Sequence, residues 1–588
     1  MGNNRNMMLA LVLSALVIFG WSIVSEKYFP TALPQTHKVV DGKVKPIAQP
    51  ADAPTVAAAS PAALQSVKAA LADGPRVAIT TPSLKGSIGL KGARFDDLEL
   101  VRQLDSIKRD AKPIRLLSPA GTKESYFSQF GWSGQGVAVP DANTVWTASA
   151  PTLTPGHPVT LSWTSPSGLK FEQIVSVDDG YLFTIQQRVS NLGTAPVVLR
   201  SYGLVSRADK GQDVSSWTSH VGPVGVYNGA ANYDLTFDNL DGAEPGFFGK
   251  LFGSTAHGGT NEYQSSTGWL GFTDKYWLTA LVPANGAPIG ASFRKGASGA
   301  YQADYAGQPF TVAPGKAMSG ETRLFAGAKE KMWLDRYESA GIPKLSKAID
   351  WGWFEWFMRP IFLLLQWLFH VTGNFGVAII CLTFIVRGLM FPIADKQFRS
   401  MAVMRRIQPK MKAIQEQHKD DKPKQQQAIL NLYKEEKANP AAGCAPILIQ
   451  IPVFYALYKV LMVSVEMRHQ PFALWIKDLS APDPLTPVNL FGFLHFTPPH
   501  FLALGVLPIL LGITMYMQFK LNPQQGDPTQ QQIFAIMPWV LMFVMAPFAA
   551  GLQLYWVVSN ILTIAQQKWL YYRYDLEKTE PASAVVTK

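Results

Sequence analysis

The chain has 588 residues, more than one hydrophobic core organises, so at least two independently folded regions are expected. Its 47% hydrophobic content and mean hydropathy of +0.06 are averages that can join very apolar segments to very polar ones. The formal net charge of +11 comes without zinc-finger spacing, a recognition-helix pattern or an RNA-binding aromatic motif, which argues against DNA as a partner and favours an anionic membrane surface. The two cysteines, Cys381 and Cys444, exclude a disulfide framework elsewhere, and neither has partners at metal-ligand spacing. Both read as packing residues, and no metal or cofactor is expected.

Met7 to Val24 is an uncharged apolar run preceded by Arg5 and followed by Glu26 and Lys27. A bilayer core of about 30 Å needs roughly 20 helical residues, and SEKYFPTALPQ is a poor cleavage site, so residues 1–28 are predicted to be an uncleaved anchor with a cytoplasmic amino terminus. Residues 29–75 are rich in Ala, Pro, Gln and Thr and carry neither apolar period, which predicts a flexible linker.

Residues 76–327 change to short alternating runs punctuated by Gly, Pro, Asn and Asp, such as HPVTLSWTS, LKFEQIVSV and YLFTIQQRVSN. That pattern predicts strands, and their number predicts a large all-β sandwich outside the cytoplasm. Residues 328–372 are expected to hold a short connecting helix, about Ala328 to Ala340, and then WGWFEWFMRPIFLLLQWLFHVTG. The tryptophans of the latter suggest a helix lying in the outer, non-cytoplasmic interface of the bilayer rather than a seventh crossing.

Five further apolar segments run from Phe375 to Ile393, Ala445 to Val465, Phe501 to Phe519, Ile533 to Phe548 and Leu552 to about Ala565. With the first anchor they predict a six-span α-helical protein whose last five spans form a core over residues 373–572. The loop 394–443 is crowded with Lys and Arg, whereas Glu466 to His500 holds only Arg468 and Lys477. By the positive-inside rule the first is cytoplasmic, as is the basic tail, residues 573–588. DKQFRSMAVMRRIQPKMKAIQEQ and PKQQQAILNLYKEEK read as a helical hairpin with its turn at HKDD and its end at Asn439-Pro440. Its basic face, including Arg405, Arg406, Lys410 and Lys412, suits ribosomal RNA or anionic headgroups, and equally a solvated positive-inside signal.

Arg387 lies within the second span, where a central arginine costs about 2.5 to 3.5 kcal/mol on insertion scales. Two placements are open: snorkelling to the cytoplasmic headgroups, or facing a wet cavity walled by polar residues of neighbouring spans. The cavity is favoured, because Thr383 lies one turn away and the last span carries Gln553, Trp556, Asn560, Thr563 and Gln567 at spacings of three and four, with Ser559 beside them. Gln450, Thr514 and Gln518 complete the expected wall, and interhelical glue is the ordinary alternative for each alone. The later spans contain no Asp or Glu, so the positive charge is left to passing acidic segments. IPVFYALYKVLMV and IFAIMPWVLMFVM are apolar and Met-rich, suiting either adaptable partner contacts or lipid.

TFIVRG, LYKEEKANP, GCAPILIQIPVFYALY, PFALWIKDLS, DPTQQQ and GLQLYWVVSNILTIAQQ together resemble the YidC insertases, relatives of mitochondrial and chloroplast insertases. The likeness is dense over about Trp351 to Tyr572 and weaker through the β-region, which resembles their periplasmic β-supersandwich, similar to galactose mutarotase. It implies an inner-membrane insertase and chaperone, not an enzyme, with a groove open to cytoplasm and lipid around Arg387. The family's threonine and aromatic positions fall on Thr383 and Trp556, the latter a tyrosine in many members. Its substrate-contacting slide falls on Ile451, Pro452, Phe454, Val540 and Val544. The implied partners are nascent membrane proteins, the SecYEG translocon, SecDF, the ribosome and anionic lipids.

Two other classes fit less well. A solute transporter would carry broken helices in two related halves, and no such repeat is found. A periplasmic carbohydrate-binding or carbohydrate-acting protein, with His157, His220 or His257 as bases, would rest on fold analogy alone. No phosphate-binding loop and no catalytic triad is recognisable.

Overall fold

A computed structural model of the chain describes residues 37–40, 43–46, 64–211, 219–242, 260–296, 299–352, 355–419, 421–436, 445–492, 504–521 and 528–573. It divides into two compact units, Met1–Asp350 and Trp351–Lys588. The expected anchor at Met7 to Val24 and the tail after Arg573 lie outside the described residues, as do His257, Cys444 and Asn439-Pro440.

In the stretch expected to be a tether, His37–Val40 pairs antiparallel with Lys43–Pro46, and Val67–Leu71 is a helix capped by Ser66. Two valine-bearing tetrapeptides on either side of Asp41-Gly42 carry the chemistry of a hairpin, a local signal that the surrounding Ala and Pro obscure.

The rest of the first unit is two stacked, largely antiparallel sheets of nine and eleven strands. In the nine-stranded sheet Leu169–Val177 pairs with Leu182–Asn191, which pairs in turn with Ala317–Ala328. In the other, Tyr126–Ser133 and Tyr301–Ala306 flank Val197–Arg207. Leu169–Val177 alternates strictly between buried and half-buried positions, the signature of one core-facing side. Phe95 of the larger sheet meets Phe183 of the smaller edge to face at 5.4 Å, and buried Gln173 and Gln187 donate across the sandwich to the carbonyls of Phe130 and Gly131. Aromatic burial and these two amide N–H donations thus join the sheets. Gly268 has φ +134°, and a Cβ there would lie 1.7 Å from the Val226 carbonyl oxygen, so this strand start requires glycine.

Helix α1, Lys331–Ser339, follows the last strand. The second unit is helical: α2 Glu355–Thr372, α3 Phe375–Gln417, α4 Lys422–Glu435, α5 Ala445–Val463, α6 Val506–Leu521, α7 Pro528–Met545 and α8 Ala550–Arg573. Helix α2 buries Met358, Phe362, Leu365 and Leu368 and exposes Trp356, Leu363 and Trp367, an apolar helix with two differently covered faces.

In α3 the second span and the first hairpin arm form a single 43-residue helix that continues through Pro392 and Pro409. No glycine lies between Ile393 and the end of this helix, and a proline within a helix forfeits one hydrogen bond without necessarily ending it. Asn374 starts this helix, accepting from Val377 N at 3.1 Å, and its amide donates to the Phe472 carbonyl. Asp483 does the same for α6 from a distance, accepting from Leu507 N at 2.7 Å and from Trp475 Nε1 at 2.9 Å.

Among the described residues, Phe375–Lys396 is the one helical stretch long and apolar enough to cross a bilayer by itself. Gln450–Val463, Val506–Leu521 and Ala535–Met545 are apolar but shorter. The hairpin closes as α3 and α4 pack Ile407, Met411 and Leu432 together, and Lys410 pairs with Glu436 at 2.6 Å.

Candidate functional site

Helices α3, α5, α6, α7 and α8 enclose a cavity of about 410 Å³ in the second unit. Polar side chains come mainly from α8, one helix face carrying Tyr555, Trp556, Ser559, Asn560, Thr563, Gln566 and Gln567, joined by Arg387 of α3, Gln450 of α5 and Gln518 of α6. Met390, Met515, Met537 and Leu541 line the same cavity. The lining therefore mixes hydrogen-bonding groups with deformable apolar chains, as on α3 and α6, where Met390 lies three residues from Arg387 and Met515 three residues from Gln518.

Arg387 is held by Ser559, whose Oγ accepts from Nε at 3.0 Å and from Nη2. No carboxylate pairs with this guanidinium among the described residues, so its charge is solvated by a neutral hydroxyl and not cancelled. Gln450 Nε2 donates to the Tyr555 hydroxyl at 2.7 Å, while Gln450 Oε1 and Gln566 Nε2 are buried without a hydrogen-bond partner among the described residues. Phe454 packs its ring 4.8 Å from that of Trp556, forming one flank. Polar groups with unused bonding capacity beside a lone cation suit a hydrated, acidic or backbone-rich guest.

Of the residues singled out for the groove, Arg387, Gln450, Gln518, Trp556, Ser559 and Asn560 share this wall. Three do not. Thr383 is fully buried, and its hydroxyl turns back to the Ile379 carbonyl at 2.7 Å. Gln553 is also fully buried and caps the end of α7, donating to the Met545 and Phe548 carbonyls at 2.8 and 2.9 Å. Its place in the first turn of α8, beside exposed carbonyls of the preceding helix, decides its role. Thr514 accepts from Asn560 Nδ2 at 3.1 Å and so ties α6 to α8 behind the wall.

The slide residues divide as well. Ile451 and Phe454 line the cavity, with Ile451 also 56% exposed, and Pro452 lies inside α5. Val540 and Val544, each 52% exposed, stand one turn apart on α7 outside the cavity. On the hairpin, Lys410 and Lys412 are exposed, while the side chains of Arg405 and Arg406 lie outside the described part. Sequence reasoning did not single out Tyr555, Met390 or Met515, and named Met537 only within a Met-rich span. The available signal for Tyr555 was its position one turn before Ser559.

Among the described residues no cluster of His, Cys, Asp or Glu has the makings of a metal site. The family model described as the 60Kd inner membrane protein matches residues 367–578, and that of the YidC periplasmic domain matches residues 76–364. The membrane protein insertase YidC of Zymomonas mobilis subsp. mobilis is 46% identical, over 97% of this chain and 96% of its own length. That of Methylorubrum extorquens is 43% identical over 96% of this chain and 95% of its own. A crystal structure of an active YidC insertase with the first transmembrane domain resolved is 16% identical, covering 94% of this chain and 98% of that one at a TM-score of 0.35. Two family models that together cover most of the chain, and relatives 43% and 46% identical over nearly its full length, establish the family: the chain belongs to the YidC family of bacterial inner-membrane protein insertases, which are not enzymes.

Proposed function

We propose that the cavity around Arg387 is a hydrophilic groove through which the chain admits nascent membrane proteins to the inner membrane. The carrying observation is the Arg387 guanidinium, on an apolar helical stretch long enough to span a bilayer, held by Ser559 with no described carboxylate partner in a cavity lined by both polar and Met side chains. A hydrophilic tail of the substrate enters this cavity, which shortens the apolar distance it crosses, and Arg387 attracts its acidic residues. The substrate's apolar segment leaves past Ile451, Phe454, Val540 and Val544 into lipid, driven by transfer worth about 25 cal/mol per Å². The topology accompanying this reading has six spans, both termini and the hairpin in the cytoplasm, and the β-sandwich in the periplasm. Arg405, Arg406, Lys410 and Lys412 meet the ribosome or anionic lipid, and the SecYEG translocon and SecDF cooperate for larger substrates.

Reconstitution of the purified full chain alone into liposomes tests this reading. A short single-span substrate is expected to acquire protease protection in proteoliposomes at a rate well above that in empty vesicles. Equal protection in both would reject an autonomous insertase.

A further inference from the structure

We propose that Ser559 is a positioning residue that aims the Arg387 charge into the cavity, selecting substrates whose translocated tails are acidic peptides. This rests on the function proposed above. An arginine has a long flexible stem, and without a tether it can extend toward any nearby polar surface. Here one buried hydroxyl receives both Nε and Nη2, which fixes the plane of the guanidinium against α8. A serine does this without changing the charge, whereas an Asp or Glu in its place would pair with the arginine and compete with an acidic guest. The anchor is itself braced: Tyr555 lies one turn earlier on α8 and is held by Gln450 of α5, so three helices converge at the point where the charge is set. Asn560, the next residue along, is bonded to Thr514 of α6, which leaves the serine helix little freedom to rotate.

The test uses full-length protein in liposomes and two single-span substrates that differ only in carrying acids or the matching amides in the translocated tail. The readout is the ratio of acidic-tail to neutral-tail insertion for wild type, S559A, S559T, R387A and S559A/R387A. S559A is expected to lower that ratio about tenfold, the scale of a hydrogen bond to a charged group. S559T, which keeps a hydroxyl, is expected to restore most of it, and S559A should add nothing in the R387A background. A wild-type ratio in S559A, an equal fall for both tails, no recovery in S559T, or a further fall in the double variant would each overturn the proposal. A wild-type ratio in R387A would overturn the electrostatic function itself, separating that failure from one confined to Ser559.

Discussion

The amide of Gln450 donates to the hydroxyl of Tyr555 at 2.7 Å, joining α5 to α8 beside the cavity. Tyr555→Phe removes the acceptor and leaves the amide of half-buried Gln450 without this partner, a cost of about 1 kcal/mol. The melting temperature of the purified variant is expected to fall, and the further change Gln450→Leu should recover much of the loss by removing the orphaned group. A melting temperature unchanged by Tyr555→Phe would show that the bond contributes nothing.

Trp556 packs on Phe454 at 4.8 Å and forms the flank between the polar wall and α5. Trp556→Ala forfeits an aromatic pair worth about 1 kcal/mol beyond its buried area, so insertion of a single-span substrate should slow roughly fivefold or more. Trp556→Tyr keeps the ring and is expected to retain most activity. Comparable rates for Ala and Tyr would remove the aromatic contact from the account.

In the periplasmic sandwich, Arg207 makes a bidentate pair with Asp274 at 2.8 and 2.9 Å, with both residues buried. Asp274→Ala leaves the buried guanidinium with only the partly exposed Asp209, whose Oδ1 accepts from Nε at 3.3 Å, and losing the buried partner is expected to cost roughly 2 to 4 kcal/mol, somewhat less than a charge left wholly unpaired. Thermal unfolding and limited proteolysis of the whole chain should show this unit destabilised. Asp274→Ala with wild-type protease resistance would contradict the assigned burial of the pair.

Burial holds the His220 imidazole below its ordinary pKa of 6.5, with its Nε2 bonded to the Pro223 carbonyl at 2.7 Å. The unfolded chain therefore binds a proton at a higher pH than the folded one, and stability rises with pH across that window. Its contribution is complete above about pH 6.5 and is lost as pH falls toward the lowered folded value. The sandwich should melt at a lower temperature at pH 5 than at pH 7.5, and His220→Gln should flatten part of that slope. The opposite slope in this window, or one left unaltered by His220→Gln, would refute the assignment.

What was legible in the sequence followed local periodicity. Alternation in LKFEQIVSV marks Leu169–Val177, and the three-and-four spacing along α8 finds Trp556, Asn560, Thr563 and Gln567 on one cavity-facing stripe. The failures came from neighbours that periodicity does not contain. Thr383 shares a helix with Arg387 yet spends its hydroxyl on its own backbone, and Gln553 belongs to the stripe by spacing but caps the end of α7. Tyr555 stands outside the three-and-four spacing of the stripe, and its role depends on Gln450 of another helix, which bonds its hydroxyl. The strand order of the two sheets is set by contacts between distant strands, such as Leu182–Asn191 with Ala317–Ala328, and no local pattern announces those.

The most direct test of the groove's charge is reversal. In proteoliposomes, Arg387→Glu is expected to insert a substrate with a basic translocated tail better than its acidic counterpart, inverting the wild-type preference. If Arg387→Glu keeps the wild-type order of the two tails, the charge at this position does not act on the substrate, and the account of the cavity fails.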